Sequence, residues 1–173
     1  LEVVFMRALP LDREVLSTVM KRMTDGKTAD LILTTGGVSV GEKDLLPGVI
    51  ENLTGNVLFH GIQVKPGMPT MLSVVKETPV LSLSGNPFAV EALFEVLAGG
   101  YLTDMEASRY LQKNQMKALK QTFVKTGEMK RIVKGRCDES GVYLPQIQKN
   151  GQLKNGIGSN CLVIFPEGER TYT

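Results

Sequence analysis

The chain has 173 residues, 42% hydrophobic and 22% charged, with 20 basic and 18 acidic side chains and a net charge of +2. That is the make-up of a soluble globular protein, and the near-balance of charge argues against a nucleic-acid or membrane surface as its main role. No apolar stretch approaches the ~18 residues of a membrane span, no signal-peptide pattern opens the chain, and Cys137 and Cys161 have neither metal-ligand spacing nor the companions of a disulfide framework, so a cytoplasmic protein is expected.

Glu2 to Met6 reads as a strand. Because the chain starts inside that element and without Met, a fragment of a longer protein is expected. Asp12 is the expected N-cap of a helix over Arg13 to Met23, in which Val15, Leu16, Val19, Met20 and Met23 form one apolar stripe ended by Asp25-Gly26. Leu31 to Leu33 is an apolar run of the length of a strand buried on both faces. Strand, helix and strand at this spacing predict a right-handed βαβ unit with a parallel pair.

Gly36-Gly37 ends that run with residues that tolerate positive φ and have no Cβ to obstruct a ligand. Asp44 is the expected N-cap of a short helix over Leu45 to Leu53, with Pro47 in its first turn and Gly55 closing it. Asn56 to Ile62, Met71 to Val75 and Val80 to Leu83 read as strands. His60, the single histidine, has no nameable Ser, Cys or carboxylate partner and is expected to be a structural or surface residue and not a catalyst. Asn86 and Pro87 are the predicted N-cap and first residue of a helix to Leu102, with Val90, Leu93, Phe94 and Leu97 inward, ending near Gly99-Gly100.

Beyond about Thr103 the pattern becomes short β-like runs broken by Asp138-Glu139-Ser140-Gly141, Asn150-Gly151 and Asn155-Gly156, the last two being hairpin signals. Cys161 to Phe165 reads as a buried strand stopped by Pro166. Arg109 to Arg136 holds nine Lys or Arg residues and one acid, Glu128. Such a run is usually a solvated face. The sharper alternative is that Lys130, Arg131 or both face an anion.

Two strand ends, before Gly36 and before Gly85, each lead through glycine to a predicted helix start, and such ends can aim at one crevice beyond the carboxyl edge of a sheet. Between them, Val64-Lys65-Pro66-Gly67-Met68-Pro69-Thr70 is a rigid, glycine-opened turn that carries a cation.

In this order, Thr34-Thr-Gly-Gly-Val-Ser-Val-Gly-Glu-Lys-Asp44, Lys65-Pro-Gly-Met-Pro69 and Ser84-Gly-Asn-Pro87 resemble the molybdopterin molybdenumtransferase family, MoeA and the E domain of gephyrin-type proteins, over nearly the whole chain. The resemblance implies an α/β fold: a three-layer αβα molybdopterin-binding domain, MogA-like and N-terminally truncated, over 1–103, then a small all-β, barrel-like domain over 104–173. It implies insertion of molybdate into adenylylated molybdopterin with release of AMP, a Mg²⁺ cofactor, a homodimer whose sites draw on both chains, and a molybdopterin adenylyltransferase as a possible partner. The fragment alone is then expected to be inactive.

Carried over residue by residue, Thr35, Gly36, Gly37, Val38 and Ser39 would offer backbone N–H groups and hydroxyls to a phosphate, and Ser84, Gly85, Asn86 and Pro87 would line the pterin. Asp44 would hold the cation or the pterin's amino edge and act in catalysis with Lys65. Lys65, Pro69, Lys130 and Arg131 would receive molybdate. Met68 departs from the family at a position usually occupied by lysine, and Ala89 where many members have serine. Lys154 and Asn155 stand for a serine-bearing turn. These departures fall more on the molybdate half than on the pterin half. A non-catalytic pterin-binding or scaffold module of the same fold is the second reading, and a nucleotide-handling hydrolase the third, opposed by the Lys65 turn and the β region.

Overall fold

The computed structural model describes residues 2–39, 41, 44–99, 115–145 and 157–173. Its contacts divide the chain into two units, Leu1–Ile62 with Met68–Gly85, and Gln63–Gly67 with Asn86–Thr173.

In the first unit, helix α1 (Arg13–Asp25) begins where the Asp12 carboxylate accepts the Val15 N–H at 2.9 Å, satisfying an amide that the helix leaves unbonded. Its apolar stripe puts Met20 in the core with Leu16 and Met23 alongside. Thr24 joins them because its hydroxyl returns to the Met20 carbonyl at 3.0 Å. Strand β1 (Ile32–Thr35), helix α2 (Leu46–Asn52), strand β2 (Asn56–His60), and, after the short β3 (Val64–Lys65) of the other unit, β4 (Met71–Val75) and β5 (Thr78–Leu83) follow.

The four long strands form one sheet in the order β1-β5-β4-β2. β1 runs parallel to β5, Ile32 opposite Val80 and Thr35 opposite Leu83, and the other two pairings are antiparallel. Ile32, Val49, Ile50, Met71, Val75 and Val80 are buried on one another. Each such side chain contributes roughly 1.5–3 kcal/mol when removed from water.

Two expectations fail here. Glu2 to Met6 forms no strand: these residues are exposed, Val3 at 78% and Met6 at 90%, and find no ladder partner among the described residues. A strand needs such a partner for its N–H and C=O groups. The parallel pair is therefore β1 with β5, and the predicted strand-helix-strand unit with the opening segment is absent. β1 is also an edge strand, not one covered on both faces; Ile32 is buried while Leu33 is 41% exposed.

The second unit is built on β7 (Lys130–Cys137), with β6 (Phe123–Lys125), β8 (Val142–Tyr143), β9 (Cys161–Phe165) and β10 (Arg170–Tyr172). β7 pairs with β3 in parallel and with β8 and β9 in antiparallel fashion, and β6 pairs with β10. Phe165 stacks on Phe123 at 4.5 Å and meets Tyr172 at 4.7 Å, over a core with Val133, Val142 and Leu144. The Asp138–Gly141 turn closes as expected, Asp138 N–H to Gly141 O at 3.0 Å. The boundary expected near 103 and the two Asn-Gly turns lie outside the described residues.

Helix α3 (Pro87–Leu93) starts as predicted, the Asn86 side-chain oxygen accepting the N–H groups of Phe88 and Ala89 at 3.0 and 3.2 Å. It passes into a π-helical turn over Phe94–Ala98. The buried face is Phe88, Ala89, Ala92, Leu93 and Ala98; of the predicted Val90, Leu93, Phe94, Leu97 stripe Leu93 is buried as expected and the other three are half-buried. The small Ala89 lets the helix approach the 63–67 turn, where an added Cβ on Gly67 would lie 2.2 Å from Leu93 and 3.6 Å from Ala89. The basic run is no uniform solvated face either. Strand alternation turns Lys134 inward, 8% exposed, onto Glu91 and 5.7 Å over the Phe88 ring. Lys125 is buried with its ammonium on the carbonyls of Gly127 and Gly168, both at 2.6 Å.

Candidate functional site

In the first unit the ends of β1, β5 and β2 and the start of β4 lie at one edge of the sheet, through the partners Thr35 and Leu83, Ser82 and Met71, and Met71 and His60. Out of that edge comes the loop after β1. Gly36 and Gly37 have φ of 84° and 67°, values that side chains rarely adopt. Gly36 N–H donates to Leu83 O at 2.9 Å, and Gly85 sits so close that a Cβ on it would be 3.5 Å from the Gly36 Cα. The two glycine segments of the sequence therefore do meet, backbone against backbone.

The rest of the loop is fixed by bonds to its carbonyls. Leu46 N–H donates to Gly37 O at 3.0 Å and the ring of His60 reaches Val38 O at 2.7 Å. A trans peptide holds C=O and N–H on opposite sides, so pinning these two carbonyls turns the N–H groups of Val38 and Ser39 the other way. With Gly37, they have no hydrogen-bond acceptor among the described residues. Successive free amides after glycines of positive φ make a cradle for an anion. The Val38 side chain is core, 1% exposed, so only its backbone is available.

Asp44 does not cap α2. Leu45 is the N-cap, with no side-chain bond, and the Asp44 carboxylate instead accepts the Gly41 N–H at 3.0 Å while its own N–H returns to Gly41 O at 2.9 Å. The local glycine wins because it lies three residues back, within reach of the short carboxylate side chain. One carboxylate oxygen is thereby engaged and the other has no partner among the described residues. Such a free carboxylate oxygen is the kind of hard donor that could hold Mg²⁺. No group of three or more His, Cys, Asp or Glu able to hold a metal occurs among the described residues.

Under the two loops, Thr34 Oγ1, Ser82 Oγ and Ser84 Oγ are buried without a hydrogen-bond partner among the described residues. Thr34 is opposite Ser82 in the register, and Ser84 is two residues further along, so all three continue the face that begins with Ile32 and Val80. Sequence reasoning named Ser84 and missed the other two, although alternation from Ile32 and Val80 could have found them. Thr35 is exposed at the strand end and Pro69 half-buried in the turn after Gly67.

In the second unit Lys65 stands opposite Arg131 across β3 and β7. Both line a hollow of about 60 Å³ with Thr126, Gly127, Glu128 and Met129. Lys130, one residue earlier, falls on the other side of the strand and stands 3.8 Å from Glu167. Of that pair, only Arg131 joins Lys65. Asn86 and Pro87 serve the start of α3, where the Asn86 side-chain oxygen is already committed. Ala89 is fully buried, so its departure from the family pattern is a packing feature.

Comparison with known proteins adds the following. The profile of a family described as "Probable molybdopterin binding domain" matches residues 1–104. A molybdopterin molybdenumtransferase of Staphylococcus aureus (strain COL) is 29% identical over 148 residues, which is 83% of this chain and 35% of that protein. The chain thus spans about a third of the length of the curated relatives it matches. Two solved structures share its fold. One is a molybdopterin biosynthesis MoeA protein from Pyrococcus horikoshii OT3, with TM-score 0.71 and 23% identity over 95% of this chain and 37% of that chain. The other is a molybdenum cofactor biosynthesis protein from Pyrococcus furiosus, with TM-score 0.71 and 20% identity over 95% of this chain and 52% of that chain. The likeness establishes the α/β fold.

Proposed function

The chain belongs to the molybdopterin binding domain family, and on that premise we propose that its first unit holds molybdopterin as part of molybdenum cofactor biosynthesis. The phosphate sits on the N–H groups of Gly37, Val38 and Ser39, with the Thr35 and Ser39 hydroxyls beside them, and the pterin lies along Ser84 and Gly85, a segment stiffened by Asn86 and Pro87. The observation that carries this reading is the contact of the Gly36 and Gly85 backbones beside amides that have no acceptor among the described residues.

For the whole protein, the proposal extends to insertion of molybdate into adenylylated molybdopterin with release of AMP. Little covalent work falls to the protein in such a reaction; it must position polyanions and stabilise developing charge. The pinned loop amides do so without reorganising, because their carbonyls are already bonded. Lys65, which leads into a turn stiffened by Pro66 and Pro69, and Arg131, opposite it on β7, are the pair for the molybdate oxyanion. Asp44 keeps one carboxylate oxygen for Mg²⁺, which when bound neutralises charge on the phosphates. A homodimer in the cytoplasm, supplied by a molybdopterin adenylyltransferase, belongs to the same proposal.

The test is an equilibrium titration of the chain with molybdopterin, followed by conversion of adenylylated molybdopterin and molybdate by the full-length protein. Saturable binding with turnover is expected. A second reading, a pterin-binding or scaffold module, has Met68 in its favour, 51% exposed in the turn beside Lys65. It calls for binding without turnover, so the second assay separates the two. No saturable binding would sink both.

A further inference from the structure

His60 ends β2, one edge strand of the sheet, whereas the glycine loop leaves β1, the other edge strand. Three strand spacings separate those edges, about 14 Å. The loop leans back over the strand ends and is fastened on the way: to β5 through Gly36 N–H and Leu83 O, and to β2 through His60 and Val38 O. A carbonyl only accepts, so His60 Nε2 carries the hydrogen and donates at 2.7 Å. Both forms of imidazole protonated at Nε2 keep this bond. His60 therefore has a partner, 22 residues away in the chain.

We infer that His60 is a positioning residue for the anion cradle: by holding the Val38 carbonyl it sets the plane of the Val38–Ser39 peptide and so the direction of the Ser39 N–H. The side chain is exposed and outside the core cluster, so its role is directional rather than one of burial. This rests on the reading that the loop amides receive a phosphate. Gly37 O is held independently by Leu46, which keeps the Val38 N–H in place when His60 is changed. The loss should be confined to one amide of the cradle.

The test compares His60→Phe, which keeps an aromatic ring and loses the donor, with His60→Gln, whose amide can donate. Molybdopterin affinity, thermal midpoint and the hydrogen-exchange rate of the Ser39 amide in the ligand-free chain are measured for each. His60→Phe should weaken binding about five- to tenfold, the worth of one hydrogen bond, speed Ser39 exchange, and leave the midpoint within about 2 °C. His60→Gln should bring binding and exchange back to within about twofold. Unchanged binding and exchange in His60→Phe overturn the proposal. So does a fall in the midpoint with faster exchange across the whole sheet, which marks a merely structural residue, or failure of His60→Gln to restore binding at a normal midpoint. If the unmodified chain binds no molybdopterin, the phosphate reading fails, and the Ser39 exchange rate alone still decides whether His60 orients that peptide.

Discussion

The Asp44 carboxylate closes on the Gly41 N–H at 3.0 Å, three residues back, and leaves the start of α2 without a side-chain cap. Two roles meet in this one side chain, loop closure through one oxygen and cation binding through the other, and substitution separates them. Asp44→Ala loses both and should weaken molybdopterin binding about tenfold or more, the range for a charge-assisted bond. Asp44→Asn keeps an oxygen to accept the Gly41 N–H but carries no charge. It should bind near the unmodified level without Mg²⁺ and lose any Mg²⁺-dependent gain. Titrations with and without the ion check this; equal losses in Asn and Ala at zero Mg²⁺ would show that closure is not what the residue provides.

Gly67 marks the turn that carries Lys65. Its φ is +111°, and an added Cβ would lie 2.2 Å from Leu93 Cδ1 and 3.1 Å from Leu93 Cγ. Leu93 is itself buried and has little room to retreat. Gly67→Ala should therefore destabilise the chain by about 1–3 kcal/mol, the usual cost of a side chain held at a disfavoured backbone angle. Urea unfolding measures it. A loss below about 0.5 kcal/mol would mean that the turn relaxes to another conformation.

Ser82 is fully buried with its hydroxyl unpartnered among the described residues. An unpaired buried hydroxyl costs about 1–3 kcal/mol, so Ser82→Ala should leave stability unchanged or raise it by about 1 kcal/mol. Most buried substitutions do the opposite. Ser84→Ala, at the loop end of the same strip, should be equally tolerated by the fold but should weaken molybdopterin binding. Chemical denaturation with a parallel titration separates the two. A loss of more than about 1 kcal/mol in Ser82→Ala would show that this hydroxyl is hydrogen-bonded in solution.

These cases also show what can be read from a sequence of this kind. Asp12 and Asn86 are legible as caps because the amides they bind lie two and three residues away. The glycine segments and the α/β class are legible because strand length, turn chemistry and helix starts are local signals. Asp44 has the same cap signature as Asp12, yet Gly41 supplied a competing amide on its other side. The face of α3 is read correctly only at Leu93, because periodicity weighs large residues, whereas packing against Gly67 favours Ala89. Lys134 with Glu91 and His60 with Val38 depend on register between distant segments, about which hydropathy is silent.

Asp25, at the end of α1, offers a pH-dependent check of how the first unit is tied together. Its carboxyl is held below the usual carboxylate range, first by the hydrogen bond from Lys21 one turn back and then by that from Lys76 in the β4–β5 turn. A carboxyl whose pKa is lowered by folding contributes stability that is fully present above the unfolded value, about 3.9. That contribution disappears as the pH falls through the lowered folded value. Lys76→Met removes the long-range partner and keeps the i,i+4 one. The Asp25 titration midpoint should then move part of the way back up, so the loss of stability on acidification, which still starts near the unfolded value, should be smaller and should level off at a higher pH. The pair is exposed, so about 1 M salt, with its Debye length of about 3 Å, should shrink the difference between the two proteins. Carboxylate NMR titration follows Asp25 directly, and urea midpoints between pH 6 and pH 2 follow the stability. An Asp25 midpoint that does not move in Lys76→Met would leave Lys21 as its only partner and free the β4–β5 turn from α1.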